Sequence, residues 1–322
     1  VFRLADGGRF TVIGCSDFNL FCSYLVHGES YVRSIMAERS SIGFNWLRVW
    51  LAYWDTNTNQ GIPGIGKLNP ADHPGMYDKL KPFSALAAQY KLYIEFTAFT
   101  GPHIPGHWDA IGNGLQGVTN ATVELCNENN AHAVRIDPNA YQKLQGVICS
   151  RGSNASRNPP PRDPYKPPLL AGASGWWDYE NMHFVNVPQW PRQVGHNTME
   201  LSVGDAEGHI PASRVPAVSD ENTRPDQDGN IDHFFDAAAG AALLCAGSTF
   251  HSNSGKASVL FNPNDRTFAE AWVAGAKSVP LEFQYGLYRH APELETDAWK
   301  HGERVYQRRL PEGRVHTVKV DA

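Results

Sequence analysis

Two glutamates in this 322-residue chain each close a strand-like run. Glu128 ends Val123-Glu124-Leu125-Cys126-Asn127-Glu128, and Glu221 ends Val215-Pro216-Ala217-Val218-Ser219-Asp220-Glu221. Each run reads as a buried strand, so each glutamate falls at a strand end. Paired carboxylates at one mouth are the minimal kit for breaking a glycosidic bond. One must hold a proton for the leaving oxygen, and the other must stay ionised to attack the anomeric carbon. Ordinary acids on a solvated rim would have the same composition, so the neighbouring residues have to decide. Asp220, beside Glu221, is a second candidate for the attacking group.

The run Phe44-Asn45-Trp46-Leu47-Arg48-Val49-Trp50 puts Trp46, Arg48 and Trp50 on one strand face, because strand side chains alternate. A guanidinium inside an apolar strand needs a carboxylate partner, since burying it unpaired is costly. A nucleophile at the mouth would serve, and the pairing would keep it ionised. A structural ion pair with Asp17 or Glu95 would satisfy the arginine equally well.

The elements that must position these residues alternate along the chain. An opening hairpin spans 1–13, with Asp6-Gly7-Gly8 as its turn. Strands are expected near Ile13, Leu47, Ile94, Val123, Ala171, Phe184, Ala217 and Ser248, about 34 residues apart, which matches a (β/α)8 barrel. Helices are expected at 31–41, 76–90, 137–149, 232–245 and 268–277, and a proline-rich loop at 151–168. An open doubly wound sheet would carry a Gly-x-Gly-x-x-Gly turn after its first strand, and Gly14-Cys15-Ser16-Asp17 is not one. The expected fold class is therefore α/β, a (β/α)8 TIM barrel over residues 1–280. Residues 281–322 form a C-terminal extension with a β-hairpin at 304–320.

The runs quoted above, in this order, resemble the retaining glycoside hydrolase clan of (β/α)8 barrels that includes the family 5 cellulases and mannanases. The opening residues 2–18 are similar to that clan's first hairpin and strand. The arginine strand looks like its second strand, the Asn127-Glu128 segment like its fourth, and residues 215–222 like its seventh. The resemblance implies Glu128 as acid/base, Glu221 as nucleophile, Asn127 as a binder of the sugar 2-hydroxyl and Arg48 as partner of the nucleophile. Two departures stand out. Val185 occupies the place of the clan's sixth-strand Tyr, with His183 retained, and Phe250 or His251 stands where a Trp often ends the eighth strand.

Composition narrows the alternatives. A net charge of −5 offers no general attraction to nucleic acid. The longest apolar run is far short of the roughly 18 residues of a membrane helix. Five scattered cysteines without a Cys-x-x-Cys pair exclude a disulfide scaffold or zinc ribbon. Sequons at Asn120 and Asn154 tilt the reading toward a secreted protein. His103 and His107 flank Pro105 and Gly106, which break the helical face a metal pair needs, so no metal and no cofactor is expected. His183 and His251 are expected to bond sugar hydroxyls or the acids. Among the loop tryptophans Trp54, Trp108, Trp176, Trp177 and Trp190, two are expected to stack on sugar, with Trp54 and Trp190 leading. Anchoring by burial is the commoner role of Trp. The expected partner is a saccharide substrate. A non-catalytic carbohydrate-binding barrel and a metal-dependent hydrolase are the competing functions, because one fold hosts many chemistries.

Overall fold

The computed structural model describes residues 2–4, 8–54, 60–62, 64–100, 104–128, 140–154, 179–184, 217–221, 224–243, 247–279, 303–309 and 315–321. Strands β1 (Phe2–Arg3) and β2 (Arg9–Phe10) pair antiparallel around the Asp-Gly-Gly turn position. Eight parallel strands follow: β3 (Ile13–Ser16), β4 (Trp46–Trp50), β5 (Tyr93–Thr97), β6 (Ala121–Glu124), β7 (Cys149–Asn154), β8 (Tyr179–Phe184), β9 (Ala217–Glu221) and β10 (Gly247–Phe250). Each pairs with the next, and β10 pairs back to β3 through Ser248 opposite Ile13, so the sheet closes into a ring. At the other end of the chain, β11 (Glu303–Arg309) and β12 (Val315–Asp321) pair antiparallel with each other.

The strands separate two cores. Outward-facing Leu47, Val49, Ile94, Phe96, Val123 and Phe250 pack against helices. Those helices are Glu29–Ile42, Leu80–Gln89, His107–Gly114, Ile231–Leu243 and Pro263–Ser278. Their apolar stripes, such as Val32-Ile35-Met36 and Leu80-Phe83-Ala87, are buried in that layer. The last helix starts earlier than expected because Asn262 caps it, its side chain accepting from Asp265 N at 2.9 Å, and Pro263 fits the first turn. A smaller inner cluster of Val12, Trp46, Tyr179 and Val218 fills the barrel at the N-terminal ends of its strands. Two residues beyond Trp46 and Tyr179 stand the buried polar side chains of Arg48 and Asn181, part of a polar layer under the mouth.

The fifth barrel strand is not where the periodicity put it. Cys149–Asn154 forms β7, although residues 151–154 read as loop. The expected helix at 137–149 shrinks, among the described residues, to Ala140–Lys143. Gln145 and Gly146 at φ 54° and 84° end it with a left-handed turn, which releases Val147 toward the sheet. Strand Cys149-Ser150-Arg151-Gly152-Ser153-Asn154 lacks apolar alternation because its inward positions face polar groups. Its extended form comes from pairing with β6 and β8 on its two sides. The expected strand at 169–173 lies outside the described residues. A helix at Leu20–His27, which the alternation did not reveal, directly follows β3.

Candidate active site

The polar layer is built from inward residues of β4 to β8. Arg48 on β4 is fully buried, as are Glu95 on β5 and Glu124 on β6. Glu124 Oε2 accepts from Arg48 Nε at 2.9 Å, Arg48 Nη2 at 2.6 Å and Thr97 Oγ1 at 2.6 Å. Arg48 Nη2 also donates to Asn127 Oδ1 at 2.7 Å. Glu95 lies on the other side of the guanidinium, its Oε2 3.9 Å from Arg48 Nε. Glu95 is further held by three donors from β7 and β8: Tyr179 Oη, Ser150 Oγ at 3.2 Å and Asn181 Nδ2 at 3.3 and 3.2 Å to its two oxygens. Burial, and next the Glu95 charge, push the Tyr179 hydroxyl well above its ordinary value, so it remains a donor. Gly152 belongs to this design, since a Cβ there would lie 2.1 Å from Glu124 Oε1.

Of the two partners the sequence offered Arg48, Glu95 is a loose one and Asp17 is not one. Asp17 is taken by a second buried arginine, Arg39, in a two-point pair at 3.0 Å. The close described carboxylate of Arg48 is Glu124, to which the sequence analysis gave no role. The signal was present. An acid at an inward position of an apolar strand poses the same question as Arg48 does, and Ala121-Thr122-Val123-Glu124 and Tyr93-Ile94-Glu95-Phe96 both contain one.

Beyond β6 the chain bends into the mouth. Asn127 is buried and bonded through its backbone N to Phe99 O at 3.0 Å. Glu128 follows, half-buried, with φ +43°. That backbone is left-handed and strained for a residue with a Cβ. We expect Glu128→Gly to be more stable than Glu128→Ala by about 1 kcal/mol, because glycine adopts this φ without steric cost. Equal melting temperatures for the two variants would remove the strain from the account.

On β9 Val218 belongs to the inner cluster, and Asp220 pairs in register with Thr249 of β10 and His183 of β8. Glu221 is the last residue of the strand, where the alternation ends. His183 stands on β8 two positions beyond inward Asn181. His251, directly after β10, is buried with its ring edge-on to Phe18 at 5.1 Å. Phe18 stacks on Trp50 at 4.1 Å, which makes an aromatic wall across the ends of β3, β4 and β10.

The tryptophan expectation divides. Trp54 is half-buried against the core just after β4. Trp108 is fully buried and its indole donates to Leu125 O at 3.1 Å, so it anchors the segment leading to Asn127 rather than offering a sugar platform. Trp176, Trp177 and Trp190 lie outside the described residues. His107 is likewise structural, with Nδ1 bonded to Tyr77 Oη at 2.7 Å and Nε2 to Ala98 O at 2.6 Å. Among the described residues no group of three or more His, Cys, Asp or Glu side chains could hold a metal ion. No described helix is long and apolar enough to cross a membrane. No disulfide joins any two of the four described cysteines Cys15, Cys22, Cys126 and Cys149.

The strand order and the polar mouth define a parallel barrel of the kind found in glycoside hydrolases, and solved structures of such enzymes superpose on it. An exo-β-1,4-mannosidase from Opitutaceae bacterium strain TAV5 matches with TM-score 0.58 at 14% identity, over 88% of this chain and 62% of that one. A GH5_18 protein from Bifidobacterium longum subsp. infantis matches with TM-score 0.58 at 12% identity, over 84% of this chain and 78% of that one. An endo-β-1,4-mannanase from Thermotoga petrophila matches with TM-score 0.52 at 13% identity, over 84% of this chain and 77% of that one. This chain thus spans under two thirds of the length of the first of them. At such identities the likeness is one of fold. No protein-family description matches the sequence, and no curated protein matches it.

Proposed function

We propose that this protein is a retaining glycoside hydrolase on a complete (β/α)8 barrel, acting on a β-linked poly- or oligosaccharide. The observation that carries the reading is the end of β6. There Asn127 and Glu128 reach the mouth side by side, and a buried arginine from β4 grips the asparagine. A buried Arg–Glu–Asn lattice in the interior of a barrel costs desolvation energy that apolar residues would avoid. Its use is to hold the adjoining mouth residues still.

In this reading the sugar lies across the mouth. Glu221 attacks the anomeric carbon while Glu128 gives its proton to the departing oxygen, so the glycosidic bond breaks as the glycosyl–carboxylate bond forms. Glu128, now ionised, takes a proton from water, and the resulting hydroxide equivalent displaces Glu221. The carboxyls should stand about 5 to 5.5 Å apart. Arg48, Trp54, Asn127, His183, Trp190 and His251 are the proposed sugar contacts and their supports. The superposable mannosidase and mannanase make β-1,4-mannan and manno-oligosaccharides the first substrates to try.

The experiment is sugar release from a polysaccharide panel by wild type, Glu128→Gln and Glu221→Gln. It is joined to trapping with a 2-deoxy-2-fluoro-β-mannosyl fluoride and peptide mapping. Activity lost in both variants, with a label on Glu221, is the expected result. A label on Asp220 moves the nucleophile one residue back along β9. Saccharide binding without turnover by the wild type would replace the reading with a carbohydrate-binding barrel.

A further inference from the structure

Glu124 is fully buried, yet it holds the residue that grips Asn127. Its Oε2 gathers three donors, two from Arg48 and one from Thr97, and so fixes the guanidinium plane. The same Arg48 Nη2 continues to Asn127 Oδ1 at 2.7 Å. An arginine can only donate, so the Asn127 amide must turn its oxygen toward Arg48. Its Nδ2 then faces away, and no described residue accepts from it. The amide at the mouth is therefore locked as a hydrogen-bond donor, beside Glu128. Were Arg48 to swing toward Glu95, 3.9 Å away, Asn127 would lose its grip and could present either end.

We propose that Glu124 is a positioning residue that acts through Arg48 to set the polarity of Asn127, so that the mouth selects a substrate oxygen able to accept a hydrogen bond at that point. The proposal rests on the glycosidase reading and adds to it a residue remote from the reacting atoms. Its consequence is energetic coupling. A residue that works through Asn127 has nothing left to do once Asn127 is gone.

The test is a double-mutant cycle on hydrolysis of β-1,4-mannohexaose by wild type, Glu124→Gln, Asn127→Ala and the double variant. Each single change should lower kcat/KM on the order of 10²-fold, mainly through kcat, as for a misplaced or missing transition-state donor. The double variant should be no worse than Asn127→Ala within about threefold. Losses that multiply to roughly 10⁴-fold would overturn the proposal, because a merely structural Glu124 would harm both backgrounds alike. If Glu124→Gln does not fold, Thr97→Val replaces it. That isosteric change removes one of the three donors, and its few-fold loss should vanish in the Asn127→Ala background; persistence of the loss there would also overturn the proposal. If wild type hydrolyses nothing on the panel, the glycosidase reading fails separately. The cycle is then read from calorimetric affinity for mannohexaose, where independent effects, or no binding at all, overturn the proposal as well.

Discussion

Glu128→Gln should cut kcat/KM on an unactivated β-mannan by about 10²- to 10⁴-fold, the range of a lost general acid. On an aryl glycoside with a nitrophenolate leaving group the first step should be nearly spared. That group departs as a stable anion and needs no proton. The second step still lacks its base, so a covalent glycosyl-enzyme should accumulate and the aryl substrate should show a burst followed by a slow phase. Glu221→Gln should instead abolish turnover of both substrates, because a nucleophile is required whatever the leaving group. The contrast is the informative quantity. If Glu128→Gln loses equally on both substrates without a burst, Glu128 is not the proton donor. The half-buried position of Glu128, four residues beyond the end of β6, motivates this expectation, since a group there can meet both protein and water.

The second large effect is on stability. Arg48→Met should destabilise the fold by about 3–5 kcal/mol in urea denaturation, the cost of leaving buried charge without its partner. Glu95 and Glu124 are both fully buried around that one guanidinium. Removing it leaves two carboxylates facing each other in the barrel interior. The double change Arg48→Met with Glu124→Gln should lose less than Arg48→Met alone, because the orphaned charge is reduced with the loss of its partner. A Glu128→Gln control, altering a half-buried mouth residue, should move the midpoint by no more than about 0.5 kcal/mol. A loss under about 1 kcal/mol for Arg48→Met would mean that water reaches this layer and screens it.

Much of this arrangement was legible in one dimension. The order of strands and helices follows from periodicity, and seven of the eight barrel strands fall near the expected positions. In β4, β5 and β6 the outward residues are apolar at alternate places and pack in the outer core. Arg48 announced itself as a buried charge in an apolar strand, and Asn127-Glu128 as polar residues ending one. Strand β7 was not legible. Its inward positions are Ser150 and Gly152, which serve Glu95 and make room for Glu124, so no hydrophobic alternation marks it. A strand whose inner face contacts polar groups carries its pattern in its neighbours' sequences.

The sequence by itself determined that a barrel would form, that a guanidinium would lie inside it and that carboxylates would end two of its strands. Those are properties of residue type and spacing, which burial and alternation translate directly into place. Only the tertiary structure decided the pairings. Glu124 rather than Asp17 holds Arg48, because Asp17 faces Arg39 on the helix Glu29–Ile42. Trp108 anchors a turn rather than a sugar, because Leu125 O lies within reach of its indole. Val218 turns inward beside Trp46 and Tyr179, because the closed sheet brings the three strands together. Each of these depends on distances between segments tens of residues apart. A buried charge demands a partner, but which partner it finds is fixed by the closure of the sheet.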